Sequence, residues 1–192
     1  MPSWDPYLDL ESGVLRNHLG ITDPIVLSRA EAAATTVALS ILTLDPLPGD
    51  YDLAHLQAFH RAIFGGLYPW AGEVRTVSLG KAGHLFCPPE AIEQRAREIF
   101  LALAVRDRLQ GLRREPFLDA LTELLAALNH LHPFREGNSR AQRAFLAQLA
   151  RAAGYRLSWA GLDGARNTDA SRAAHGGDLK PLRAMLDPLL GT

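Results

Sequence analysis

The polar run His132-Pro133-Phe134-Arg135-Glu136-Gly137-Asn138-Ser139-Arg140-Ala141-Gln142-Arg143 constrains this chain more than any other stretch. An apolar helical pattern, Phe117 to Leu131, precedes it, and a second, Ala141 to Ala153, follows. The polar residues therefore read as a loop that leads into a helix, and loops held between rigid elements are where binding and catalytic groups concentrate.

The residue types suit a nucleotide phosphate chain. With Asn138 as N-cap, the first-turn amides and the positive end of the helix dipole form an anion site. Arg140 and Arg143, three residues apart, share a helix face and offer planar forks of donors to phosphate oxygens. A triphosphate normally arrives with magnesium, which binds through one or two carboxylates plus the phosphates, and Glu136 supplies one. His132 is the natural group to take a proton from an attacking hydroxyl near neutral pH. The plainer alternative is a His-Pro turn in which Glu136 pairs with Arg140 and Asn138 only caps.

Composition narrows the class. The 192 residues are 47% hydrophobic and 21% charged, enough for one domain with a real core. A net charge of −1 gives no electrostatic footprint for nucleic acid, so direct nucleic-acid binding is not expected. The single cysteine, Cys87, excludes an intrachain disulfide and any multi-cysteine zinc site. A metal hydrolase built on His132 and Glu136 ranks low, because no histidines stand around them at metal-ligand spacing. No basic-then-apolar leader and no apolar run of about 18 to 20 residues is read, so a cytoplasmic protein without a membrane segment is expected.

The rest of the chain reads as one mostly helical unit. Residues 1–22, with Trp4, Tyr7 and turn formers, form an N-terminal arm. Asp23-Pro24 starts a helix that continues through the alanine-rich run to Leu44, and Asp52 caps another over Leu53–Phe64, in which His60 is a structural histidine. Residues 76–86, with Gly80 and Gly83 around Lys81, suggest a hairpin. Further helices are expected over Ala91–Leu109, Asn167–Ala174 and Leu179–Leu190. Core stripes are Ile92, Ala96, Ile99 and Leu103 in the first of these, Ala120, Leu124, Ala127 and Leu128 before the polar run, and Phe145, Leu149 and Ala152 after it.

The polar run resembles the signature of the Fic family, His-Pro-Phe-x-Asp/Glu-Gly-Asn-Gly-Arg-x-x-Arg, and only Ser139 departs from it. Two further stretches resemble the family: Tyr7, Asp9, Gly13, Leu15, Asn17, Leu19 and Gly20 in the arm, and Trp70-Ala71-Gly72-Glu73-Val74-Arg75. The resemblance implies a mainly α, single Fic domain over 1–192 with a small β-hairpin flap near 74–87. It implies transfer of AMP from ATP, with magnesium, to a hydroxyl side chain of a target protein. His132 would be the general base and Glu136 the magnesium ligand. Gly137, Asn138, Ser139, Arg140 and Arg143 would hold ATP phosphates, and Phe134 would anchor the loop. Lys81 and Phe86 would meet the target on the flap, where strand addition asks little of side chains.

Ser139 replaces the second signature glycine. If that position needs φ > 0, serine costs about 1 kcal/mol or more, and its side chain crowds the phosphates. Two alternatives stay open on that account: a phosphotransferase of the same fold, and a silent module that binds ATP and docks proteins through its flap. No glutamate here has Ser or Thr four residues before it, the pattern of the family's built-in inhibitory helix. The resemblance therefore implies a bacterial toxin whose separate small antitoxin supplies a glutamate to Arg143. The ATPase subunits of DNA gyrase and topoisomerase IV, type II topoisomerases, are the targets it suggests.

Overall fold

The computed structural model describes residues 5–81 and 84–191. Among them run seven α-helices and two short antiparallel strand pairs, a mainly α fold. Trp4 of the expected arm and Gly83 of the expected hairpin lie outside the described residues.

An aspartate side chain caps three of the seven helices. Helix α1 spans Pro24–Leu44, with the Asp23 carboxylate accepting from the amides of Ile25 and Val26. Helix α2 spans Leu53–Phe64 and is capped the same way by Asp52 through the His55 amide. It buries Leu56, Phe59, His60, Ile63 and Phe64 on one side. Helix α3, Ile92–Val105, follows a 3-10 turn at Pro89–Ala91 and stops before the expected Leu109. There Asp107, Arg108 and Leu109 take left-handed backbone angles, φ 48, 52 and 64°, which break the helix and turn Leu109 into the core.

Helix α4, Arg114–Leu131, and α5, Asn138–Ala152, flank the polar run and pack on each other. Phe145 and Leu149 of α5 are buried as expected, whereas Ala152 is exposed and Leu146 and Ala150 complete the core face. Helices α6, Gly164–His175, and α7, Lys180–Leu186, close the domain. Instead of continuing to Leu190, α7 gives way to a 3-10 turn and a strand, because Pro188 interrupts it. That strand, β4 (Leu190–Gly191), pairs with β3 (Arg156–Leu157), a pairing the sequence did not suggest. The hairpin is β1 (Gly80–Lys81) against β2 (His84–Leu85), exposed along its length.

Helix α1 corrects one expectation: it is long and apolar enough to cross a membrane by length and composition. Its alanines raise the hydropathy of a run that also carries Arg29 and Glu31. It packs against α2 and α5, buries Leu27 and Thr35, and leaves Ile25, Val37, Ile41 and Leu44 exposed.

Candidate active site

The polar run is wired to the body through its backbone. Phe134 is fully buried and stacks on the His60 ring, centroids 3.9 Å apart. His60 accepts from the Gly72 amide through Nδ1 (2.8 Å), so its proton sits on Nε2 and is donated to the Glu136 carbonyl at 2.9 Å. Burial pushes its pKa down to about 4, which keeps this arrangement neutral. A structural histidine was expected here; what it structures is the loop itself.

Asn138 does not cap helix α5. Its side chain is buried and turned back, accepting from the Phe134 amide at 2.9 Å and donating to the Phe134 carbonyl at 2.7 Å. Gly137 takes the cap position with φ 78°, and a Cβ there would overlap the Phe64 ring, so only glycine fits. No side chain caps α5. The amides of Asn138 and Ser139 accordingly have no acceptor among the described residues and remain open to an anion. The first-turn amides expected to face an anion are thus open, although Asn138 is not the residue that caps them.

Ser139 has ordinary helical backbone, since positive φ falls on Gly137 and His132 in this stretch and not on it. The anticipated backbone strain is absent. Its exposed side chain stands at the border of two cavities.

His132 ends α4 in a left-handed conformation, φ 43° and ψ 61°. Its ring lies flat on Phe86 of the flap, 3.8 Å between centroids and 3° between planes. Burial, and then the positive charge of Arg75, push its pKa down to about 4, offset in part by the Asn129 backbone. The imidazole is therefore unprotonated at neutral pH, the state a general base needs. Of the two residues expected to meet the target, Phe86 is half-buried and covers His132, and Lys81 is exposed.

Arg75, to which the sequence assigns no role, joins flap to loop. Its guanidinium is 1% exposed and donates to the carbonyls of His132 (2.7 Å), Val77 (2.6 Å) and Cys87 (2.5 Å). Its amide donates to the Pro133 carbonyl at 2.8 Å. A lone arginine in an otherwise apolar turn-rich stretch was the available signal.

Two cavities meet at His132. One, about 310 Å³, holds Glu136, Gly137, Asn138, Arg140 and Arg143. The other, about 100 Å³, lies under α6 between His84, Asn129, Asn167 and His175. Lys81, Phe86, His132 and Ser139 line both. Arg140 donates to Glu31 at 2.6 Å and contacts Glu136 at 3.4 Å, whereas burial and Arg140 lower the pKa of Arg143. Among the described residues no three His, Cys, Asp or Glu side chains gather to hold a metal by themselves. Glu136 offers one carboxylate, 44% exposed, whose Oε1 accepts from the Gly137 amide (2.8 Å). That donor set fits a cation completed by phosphate oxygens and water.

Comparison with known proteins gives the architecture a lineage. The chain is 40% identical over 182 residues to the probable protein adenylyltransferase y4lH of Sinorhizobium fredii, covering 94% of this chain and 93% of that one. It is 37% identical to the protein adenylyltransferase VbhT of Bartonella schoenbuchensis, covering 95% of this chain but 38% of that protein. The crystal structure of BepC from Bartonella tribocorum with bound AMPPNP superposes with a TM-score of 0.90 at 26% identity, over 96% of this chain and 95% of that one. An ADP-bound Fic domain from Bartonella quintana matches equally well, TM-score 0.90 at 29% identity, over 96% and 94%. The Fic/DOC family model matches residues 50–150, the span holding Arg75, the flap and the whole polar run, and the chain belongs to the Fic/DOC family.

Proposed function

We propose that this chain is a protein adenylyltransferase that moves AMP from ATP to a hydroxyl side chain of another protein. The observation that carries the reading is the place of His132, on the wall shared by the anion cavity and the cavity under α6. A nucleotide with its β- and γ-phosphates on the α5 amides and its nucleoside under α6 has its α-phosphorus at that junction. A phosphotransferase would need the γ-phosphate there instead.

In the reaction, neutral His132 takes the hydroxyl proton as the oxygen forms its bond to the α-phosphorus. The bond from that phosphorus to the bridging oxygen breaks, and pyrophosphate leaves with the electron pair. The amides of Asn138 and Ser139 with Arg143 offset the charge that builds on the leaving group. Magnesium, held by Glu136 and the phosphates, would supply further charge neutralisation. The names of the relatives and the nucleotides in the matching structures support ATP as donor.

A groove of about 790 Å³ between α1 and α5 presents Leu39, Leu42 and Trp159 beside Arg140 and Arg143. A separate antitoxin helix laid there would bring an acidic side chain to Arg143, in keeping with a cytoplasmic toxin–antitoxin pair. Type II topoisomerase ATPase subunits are the target we favour. The test is label transfer from α-³²P-ATP and γ-³²P-ATP with magnesium into bacterial lysate and purified topoisomerase subunits. An α-labelled product lost in His132→Ala supports adenylyl transfer, a γ-labelled one replaces it with phosphorylation, and no label points to the docking module.

A further inference from the structure

Three arginines line the anion cavity; Arg135 is paired with Asp5 at 2.8 Å, and the surroundings of the other two differ. Arg143 is half-buried and has no carboxylate partner among the described residues. Arg140 stands between two: Glu31 of α1 at 2.6 Å and Glu136 of the loop at 3.4 Å. Glu31 is no loose surface group. Its side chain is 15% exposed, and its second oxygen accepts a hydrogen bond from the Tyr68 hydroxyl. Tyr68 is itself 2% exposed and stacked on Trp70 at 4.5 Å, and burial, then the hydrogen bond to Glu31, push its phenol pKa upward. Arg140 completes the clamp by resting over the Phe64 ring at 4.7 Å and reaching Thr35 Oγ1 at 3.4 Å.

We infer that Glu31, braced by Tyr68, is a positioning residue that holds the Arg140 guanidinium and thereby leaves the Glu136 carboxylate available to the nucleotide-bound cation. Glu136, in the loop two residues before α5, and Arg140, in the first turn of α5, already lie 3.4 Å apart, within reach of a direct ion pair. Without Glu31, Arg140 has Glu136 as its remaining carboxylate neighbour, and the long 3.4 Å hydrogen bond between them shortens. A cation then has to displace an arginine to reach its ligand. With Glu31 in place, the shorter and less exposed contact keeps the guanidinium at the α1 side. Glu31 touches neither nucleotide nor cation; it acts through Arg140. The inference rests on the nucleotide-binding reading of this site.

The test is calorimetric titration of the non-hydrolysable AMPPNP into wild type, Glu31→Gln and Tyr68→Phe, across magnesium concentrations, with thermal melts of all three. We expect Glu31→Gln to raise the magnesium concentration for half-maximal nucleotide binding about tenfold, and Tyr68→Phe to raise it less. In a Glu136→Gln background the Glu31→Gln shift should vanish, because no carboxylate is left for Arg140 to occupy. A lower melting temperature with an unchanged magnesium dependence reduces Glu31 to a structural brace and overturns the inference. Wild type that binds no nucleotide at any magnesium concentration removes the functional reading, and the inference with it.

Discussion

The buried guanidinium of Arg75 donates to the main-chain carbonyl of His132 at 2.7 Å, from a position where it also holds the carbonyls of Val77 and Cys87 on the flap. One side chain therefore ties the polar loop to the flap. Arg75→Met leaves three carbonyls without that donor. Each such loss costs roughly 1–3 kcal/mol, not additively, so urea unfolding should show a loss of at least about 2 kcal/mol. Arg75→Lys keeps the charge but not the planar fork. It should fold better than the methionine variant and still transfer AMP more slowly than wild type in a label-transfer assay. Wild-type rates in the lysine variant would sever the link between this arginine and the site.

His132 supplies a pH prediction with a definite sign. Its pKa is pushed down to about 4, so the base form persists at every pH above that value. The kcat/KM profile for label transfer should lack an inflection near 6.5, the ordinary imidazole value, and fall only in more acidic buffer. Phe86→Ala uncovers the ring and should move the acidic limb upward toward 6.5. A wild-type profile already bent at 6.5 would show that the flap does not shield the base.

Stability carries the same signature. His60 and His132 both have depressed pKa values in the folded protein, each about 4. Between that value and 6.5 the unfolded chain binds more protons than the folded one. Stability is thus full above 6.5 and is lost as pH falls, by up to about 1.4 kcal/mol per pH unit for each histidine. Urea midpoints from pH 7 to 4.5 should decline accordingly. His60→Phe should be weaker at pH 7, because the Gly72 amide and Glu136 carbonyl lose their partner, yet show a shallower decline. An unchanged slope would place the titration elsewhere.

Ser139 separates strain from crowding. Its backbone is helical, so Ser139→Gly relieves nothing there and should lower stability by no more than about 1 kcal/mol, the ordinary cost of glycine in a helix. Its side chain borders both cavities at the point assigned to the α- and β-phosphates. Removing it should tighten nucleotide binding and speed label transfer. Equal rates for serine and glycine would clear the side chain of any effect.

Much of this protein could be read along the chain because its signals are local. Asp23 with Pro24 and Asp52 with Leu53 mark helix starts through contacts one turn long, and helices α1 and α2 begin where they predict. The His132–Arg143 run pointed to the family and to an anion site at a helix start. Helix α3 ends short of Leu109, at a left-handed turn over Asp107–Leu109 that places Leu109 in the core and that helical periodicity does not reveal.

The sequence by itself determined the helical class, the segment that carries the site and the residue types gathered there. Only the tertiary structure decided what each side chain does. Asn138 could cap or fold back, and the buried amide and carbonyl of Phe134 chose the second. Arg75, His60, Glu31 and Tyr68 act on residues 37 to 109 positions away, through hydrogen bonds between separate segments of the chain. Helical periodicity and capping rules describe a few successive residues, whereas a buried donor is satisfied by whatever acceptor the folded chain brings within about 3 Å.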